Sequence, residues 1–320
     1  MKILITGSSG FIGANLIRSL KSDVNFIFGI DNHNNFVYES RFKKFRSKVI
    51  NEINNFKEFL IDLSDKSHVE KIIEENEVDM IIHLAAHPGV RLSLTKSENY
   101  INNNINNFLI IINLAKKYSL PLIYASSSSI YNSNINNIPF SESEKSYNPD
   151  SIYGVTKYSN ELIAKIYAEK YDLKSIGLRF FSVYGEMGRP DMAIMSFINS
   201  LLNNKKIYLN NNGRTKRDYT SIKTVVELLK KIIFRFDEIN KNLVLNIGNS
   251  NPVETKDILS SLMKICNIQY PDIKNNFVSE QKSTYANMDK IEKIVGKTKN
   301  YDIFDELPAI VDWVKNNNYL

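Results

Sequence analysis

Tyr153 and Lys157 stand four residues apart, which puts both on one face wherever the chain around them is helical. A phenol ionises near pH ~10 in water, so Tyr153 is a poor base at neutral pH unless something lowers that value. A neighbouring ammonium favours the phenolate, and a hydroxyl such as Ser127 can bond the group that reacts. Ser127, Tyr153 and Lys157 together can take a proton from an alcohol while a hydride leaves its carbon. The spacing means little by itself in a chain with 17 tyrosines, because a surface helix pair has the same spacing. Its force comes from order: the pair follows a serine-rich strand end, Ser126-Ser127-Ser128-Ser129, and a start built to bind a nucleotide.

That start is Lys2-Ile3-Leu4-Ile5, an apolar run, followed by Thr6-Gly7-Ser8-Ser9-Gly10-Phe11-Ile12-Gly13 and a helical continuation to Leu20. Gly7 permits a tight turn, Gly10 lets backbone approach a pyrophosphate, and Gly13 lets helix pack on strand, while the free N–H groups of the helix start face negative charge. Asn25 to Ile30 is a second strand with Asp31 at its end, 18 positions beyond Gly13. A carboxylate there accepts from both adenosine ribose hydroxyls and repels a ribose phosphate, which points to NAD rather than NADP. The plainer alternative is an Asp that starts a turn with Asn32.

Further elements must position these groups. Residues 57–61 form a strand end before Asp62, which either accepts from an adenine amine or caps the next helix. Val78 to Ala86 is a nearly continuous apolar strand, expected where both faces of a parallel sheet are covered. His83 at its end reads as packed. Residues 99–118 carry a long helical period, 120–129 a strand, 151–171 a helix and 175–183 another buried strand. The alternation predicts an α/β fold with a doubly wound parallel sheet. Residues 1–184 form the dinucleotide-binding domain, with later returns near 216–250, and 185–320 are mainly a smaller substrate lobe. The ligand crevice then lies outside the strand ends marked by Gly7, Asp31, Ala85, Ser127 and Ser182.

Composition excludes several classes. The net charge of +6 comes from scattered lysines, compatible with an acidic small molecule but not with the clustered footprint of a nucleic-acid groove. Cys266 is the only cysteine and there are four histidines, so no disulfide or thiolate metal cluster is expected. The first residues enter a strand without the succession of a signal peptide, and apolar runs stop short of about 18 residues. A cytoplasmic protein without membrane partners is expected.

The chain resembles the extended short-chain dehydrogenase/reductases, and within them the sugar-nucleotide epimerases, most closely the UDP-glucuronate 4-epimerases. The resemblance runs through Thr6 to Gly13, Gly29 to Asn32, His83 to Ala86, Gly89 to Arg91, Tyr124 to Tyr131, Tyr153 to Lys157, Leu178 to Gly185, Gly188 to Ala193, Arg217 to Tyr219 and Asn246 to Asn249. It implies bound NAD, with Phe11, Ile12, Asn32, Asp62, Leu63, Leu84, Ala85, Ala86 and Asn104 joining the three glycines, Asp31, Tyr153 and Lys157 in the cofactor set. It implies that Tyr153 oxidises the hydroxyl at sugar carbon 4, that Lys157 tunes it and binds nicotinamide ribose, and that Ser127 orients the hydroxyl. Ser128 and Ser129 stand where related dehydratases and decarboxylases carry carboxyl groups, so net elimination is not expected. Ser182 and Arg189 resemble the uronate enzymes, with Arg189 beside the substrate carboxylate. Arg91 and Arg217 are implied near the diphosphate, although each alone is more often a surface or domain-linking arginine.

The substrate implied is UDP-glucuronate, interconverted with UDP-galacturonate. The alternatives are a 4-epimerase of UDP-glucose or UDP-N-acetylglucosamine, a UDP-glucuronate decarboxylase, or an NAD-binding protein without turnover. Helices near 99–118 and 151–171 resemble those that pair between subunits, so a homodimer is expected. The chain departs from the pattern at Asn107 and Asn132, each in place of a Gly, at Lys223-Thr224, and across 279–287.

Overall fold

The computed structural model describes all residues except 132–138, 144–146, 240–241, 270 and 277–282. Asn132 and part of the departure at 279–287 lie outside the described residues.

The main sheet is parallel, with strands β1 Lys2–Thr6, β2 Phe26–Ile30, β3 Phe56–Phe59, β4 Met80–His83, β5 Leu122–Ser127, β6 Ser175–Phe180 and β10 Leu243–Ile247. Their spatial order is β10-β6-β5-β4-β1-β2-β3. Both faces are covered, which is why the strands read as apolar runs instead of alternating ones. In β1, Ile3 and Ile5 join a cluster with α1 (Phe11–Leu20) and α9 (Ile222–Phe234), to which α11 (Asp289–Val295) adds Ile291 and Val295. Leu4 points the other way, to α3 (Lys66–Glu75) and α6 (Asn107–Lys117). Chain order reverses direction across the sheet between β1 and β4, so the loops leaving these two strands diverge and open a crevice.

Several elements depart from the expected boundaries. The expected strand at 78–86 ends at His83, and Leu84 to Ala86 form a loop over the glycine turn. The helix expected over 99–118 is a series: α5 Ser97–Ile101, a π-turn Asn102–Asn106, and α6, preceded by α4 Val90–Thr95. The strand expected over 175–183 is two. β6 stays in the main sheet, and after Phe181 the chain enters β7 (Ser182–Tyr184), which pairs with β9 (Lys216–Ser221). β9 also pairs with β11 (Pro252–Glu254) and β13 (Ser283–Thr284). A separate parallel pair joins β8 (Ile207–Asn210) to β12 (Ile273–Asn276). The second core lies among α8 (Ala193–Leu202), α10 (Thr255–Cys266) and α12 (Ile303–Asn317), through Ile198, Leu201, Ile258, Leu262, Leu307 and Val311.

α7 (Ile152–Tyr171) is N-capped by Ser151, whose side chain accepts from the Gly154 N–H. Tyr153, Lys157 and Glu161 recur at four-residue steps along it. Glu161 is buried against β6, where Arg179 grips it with Nε at 2.9 Å and Nη2 at 2.7 Å. Ser126 donates to the same carboxylate at 2.5 Å, and Arg179 Nη1 donates to Tyr131 and Tyr147. Removing one partner of such a pair strands a charge in the core, at a cost of about 3–5 kcal/mol. Arg179→Ala is therefore expected to lower unfolding free energy by about that amount in a denaturant titration, and a loss under about 1 kcal/mol contradicts the bracing role.

Candidate active site

The glycine turn is defined by exclusion of side chains. Gly7 has φ +74° and no room for a Cβ, since Ala85 N would lie 2.8 Å away. At Gly13 a Cβ would sit 2.2 Å from the Gly7 carbonyl, and at Gly10 2.9 Å from it. Only backbone fits, leaving the N–H groups at the start of α1 facing the cleft.

The cleft has a volume of about 1020 Å³ and lies across the carboxyl ends of β1 to β6. Its lining includes the cofactor candidates Gly7, Gly10, Phe11, Ile12, Gly13, Asp31, Asn32, Asp62, Leu63, Leu84, Ala85 and Ala86. It also includes Arg91, Ser127, Ser128, Tyr153, Lys157, Ser182, Arg189 and Arg217. Asn104 is different. It is buried in the π-turn, and its amide bonds both backbone groups of His87 and the Thr156 hydroxyl, so it holds a cleft wall instead of lining the cleft.

Asp31 accepts from the His33 N–H at 2.9 Å, and Lys43 Nζ stands 3.7 Å away. Asp62 turns back on Ser64 through both backbone and hydroxyl, and holds Asn32 at 2.6 Å. The cap of α3 is Asp65, not Asp62. Below the turn, the buried Glu58 carboxylate accepts from Ser8 at 2.7 Å and Ser9 at 2.6 Å, with Ser47 also donating. Burial opposes its charge, but these bonds and His33 win and lower it to about 2.

At the end of β5, Lys157 is buried and donates to the Ala125 carbonyl at 3.0 Å. Its Nζ is 6.0 Å from the Tyr153 ring centroid. Burial without a carboxylate partner lowers its ammonium to about 8. Burial also raises the Tyr153 phenol, and a hydrogen bond with Ser127 and the Arg189 charge pull it partway back. Ser127 accepts from the Ser129 N–H at 3.1 Å, which fixes its hydroxyl at the strand end. Tyr153 is set by its own backbone, whose N–H donates to Ser93 on α4. His83 is packed, bonding Thr6 at 2.7 Å, and burial lowers it to about 3.

Arg189 pairs with Asp191 through Nε at 3.1 Å and Nη2 at 2.5 Å. Burial works against its charge, and Asp191 more than restores it. Arg91 faces Asn210, whose amide presents its oxygen, and so it ties α4 to β8 at the cleft mouth.

Sequence reasoning missed Lys43, Asn103 and Asn107, which also line the cleft. The asparagines were hidden in a polar run, and Lys43 in a helix that carries many other cations. A second cavity of about 1090 Å³, between α1 and α9, holds the ion pairs Lys230–Asp23 at 2.8 Å and Lys231–Glu227 at 3.1 Å.

The ammonium of Lys157 offsets a phenolate only while protonated, that is, below about pH 8. Lys157→Met is expected to lower kcat at neutral pH by about 100-fold or more, with a residual rate that climbs through a higher pH range than the parent's. A pH–rate profile that keeps the parent's midpoint contradicts this assignment.

A model of the NAD dependent epimerase/dehydratase family matches residues 3–248. An uncharacterised protein of Methanocaldococcus jannaschii is 38% identical over 98% of the chain and 96% of its own length. Protein CapI of Staphylococcus aureus is 34% identical over 98% of each. The crystal structure of a UDP-glucuronic acid 4-epimerase from Bacillus cereus, bound to UDP-glucuronic acid and NAD, superposes with a TM-score of 0.88 at 29% identity, covering 99% of both chains. With the glycine turn, Asp31 and the Ser127, Tyr153, Lys157 set in one cleft, the chain belongs to the NAD dependent epimerase/dehydratase family.

Proposed function

We propose that this NAD-dependent UDP-sugar epimerase acts on UDP-glucuronate, interconverting it with UDP-galacturonate. The observation that carries the reading is Arg189. It lies in the cleft, close enough to Tyr153 for its charge to act on the phenol, and Asp191 occupies only its Nε and Nη2 edge. Nη1 has no bond among the described residues, which leaves a donor for a carboxylate at the sugar. The Bacillus cereus relative, whose structure holds UDP-glucuronic acid, supports the choice.

Tyr153, as phenolate, takes the proton of the sugar 4-hydroxyl, with Ser127 holding that oxygen. Bound NAD would supply the acceptor for the hydride of carbon 4 and the donor for its return. The 4-keto sugar turns in the cleft, presents its other face, and regains a proton from Tyr153. Lys157 keeps the phenolate accessible throughout.

A 4-keto uronate is a β-keto acid and loses carbon dioxide readily. Ser182 and Arg189 hold its carboxylate, which keeps the breaking bond away from alignment with the ketone. Ser128 and Ser129 supply no carboxyl group for elimination. Purified protein given UDP-glucuronate is expected to form UDP-galacturonate without added reductant. Release of carbon dioxide with a pentose product, or conversion of neutral UDP-sugars alone, overturns the reading. Arg189→Ala is expected to raise KM for UDP-glucuronate by about 10-fold or more, the loss of a charge-assisted bond of about 1.5–3 kcal/mol. Unchanged uronate turnover removes Arg189 from its role.

The same reading includes a homodimer. On α7, Val155, Leu162 and Ile166 form an exposed apolar stripe at helical spacing, and Ile101 of α5 is exposed as well. α7 is buried by its own chain on the opposite face, so a second copy covers this one. Leu162→Lys is expected to shift sedimentation from dimer to monomer, and a monomeric parent sinks the assembly.

A further inference from the structure

Arg46 on α2 (Ser40–Asn51) is fully buried, and no carboxylate lies within ion-pair distance of it among the described residues. Its guanidinium instead bonds five neutral oxygens. Nε donates to the Met187 carbonyl at 2.9 Å. Nη1 donates to the Ser9 carbonyl at 3.3 Å and the Tyr38 hydroxyl at 2.9 Å. Nη2 donates to the Gly188 carbonyl at 3.2 Å and the Tyr319 hydroxyl at 2.6 Å. A guanidinium has five N–H donors, so its capacity is used completely.

These oxygens belong to segments with different duties. Ser9 is in the glycine turn. Tyr38 is in the segment between β2 and α2 and lines the cleft. Met187 and Gly188 lead directly into Arg189. Met187 has φ +58°, a left-handed conformation costly for a side-chain-bearing residue, and needs external bonds to hold it. Tyr319 supplies one, its hydroxyl lying 3.1 Å from the Met187 carbonyl and 2.9 Å from that of Gly188. Phe42, Phe45 and Trp313 rings fix Tyr319 edge-on at 5.0–5.2 Å. Asn15 of α1 adds a bond to the Glu186 carbonyl at 3.2 Å. A buried cation without a counter-ion is expensive, and this one is placed where one rigid fork joins two ligand-facing loops.

We propose that Arg46 is a positioning residue that couples dinucleotide retention to sugar-nucleotide binding, by fixing the Ser9 carbonyl of the glycine turn and the Met187-Gly188 carbonyls ahead of Arg189. The proposal rests on the family-level reading of the cleft and not on which sugar is turned over. Linkage makes such coupling reciprocal: a sugar nucleotide that tightens the 187–189 segment tightens NAD binding by the same factor, and the exchange of bound NAD reads that tightening as slower loss.

The test is exchange of bound NAD for labelled NAD, with no addition, with UDP-glucuronate and with UDP-glucose. In the parent, a bound sugar nucleotide is expected to slow exchange by about 5-fold or more. Tyr319→Phe removes the hydroxyl that bonds the Met187 and Gly188 carbonyls and accepts from Arg46 Nη2, and leaves the bond from Arg46 to the Ser9 carbonyl in place. It is expected to leave sugar-free exchange within about twofold of the parent, lose most of the slowing, and raise sugar KM with little change in kcat. Arg46→Lys keeps the charge but not the fork, and is expected to accelerate exchange even without sugar. Should that variant fold poorly, Tyr319→Phe decides alone. A parent indifferent to both sugar nucleotides overturns the proposal, as does a Tyr319→Phe protein whose slowing matches the parent's while only its melting temperature falls. Failure of uronate turnover with slowing by UDP-glucose intact overturns the substrate choice and leaves Arg46 in its role.

Discussion

The buried pair of Glu161 and Arg179 is the constraint on which the placement of Tyr153 and Lys157 depends. α7 brings Tyr153 and Lys157 to the cleft from the outer layer of the fold, and only a fixed depth and rotation puts both against the end of β5. Apolar packing alone is a loose guide here, because the helix also carries exposed apolar residues on its far side. A bidentate grip between helix and β6 supplies the missing direction. Ser126 shares that carboxylate while its neighbour Ser127 faces the cleft, so one charge ties the end of β5 to both α7 and β6.

The parallel sheet covered on both faces followed from sequence because apolar runs with no alternation have one home, a sheet covered twice. The glycine turn and the Tyr–Lys pair were legible for a related reason: their chemistry needs residue types that few other positions need. What was not legible depended on contacts between distant segments. Asn104 matched the family pattern, yet its amide is used on His87 and Thr156, a pairing set by the π-turn that no periodicity displays. Arg46 stood in a helix with Arg41, Lys43, Lys44 and Lys48, all alike until packing buries one. Asp62 posed two alternatives that sequence left equal; Asp65 taking the cap of α3 removes the capping alternative.

The lysine beside the phenol illustrates how the cleft balances opposing effects. Burial removes water from Lys157, which weakens its hold on a proton, while a carbonyl partner gives it direction without neutralising it. A carboxylate partner would secure the charge and screen it from Tyr153. Buried carboxylates lie elsewhere, among them Glu161 one turn along, Asp31 after β2 and Asp218 on β9. Cation and anions are therefore separated by function within one core.

The π-turn at Asn102–Asn106 behaves as one residue too many in an otherwise continuous helical run. Each residue of a helix advances the side-chain direction by about 100°, so the surplus residue gives α5 and α6 different bearings. Before it, Ile101 faces outward; after it, Phe108, Ile111 and Ile112 face the sheet. Two surfaces with separate demands are thus written into one length of chain, and the turn frees each from the phase of the other. Losing a single residue there would leave composition almost untouched and rotate one surface into the place of the other.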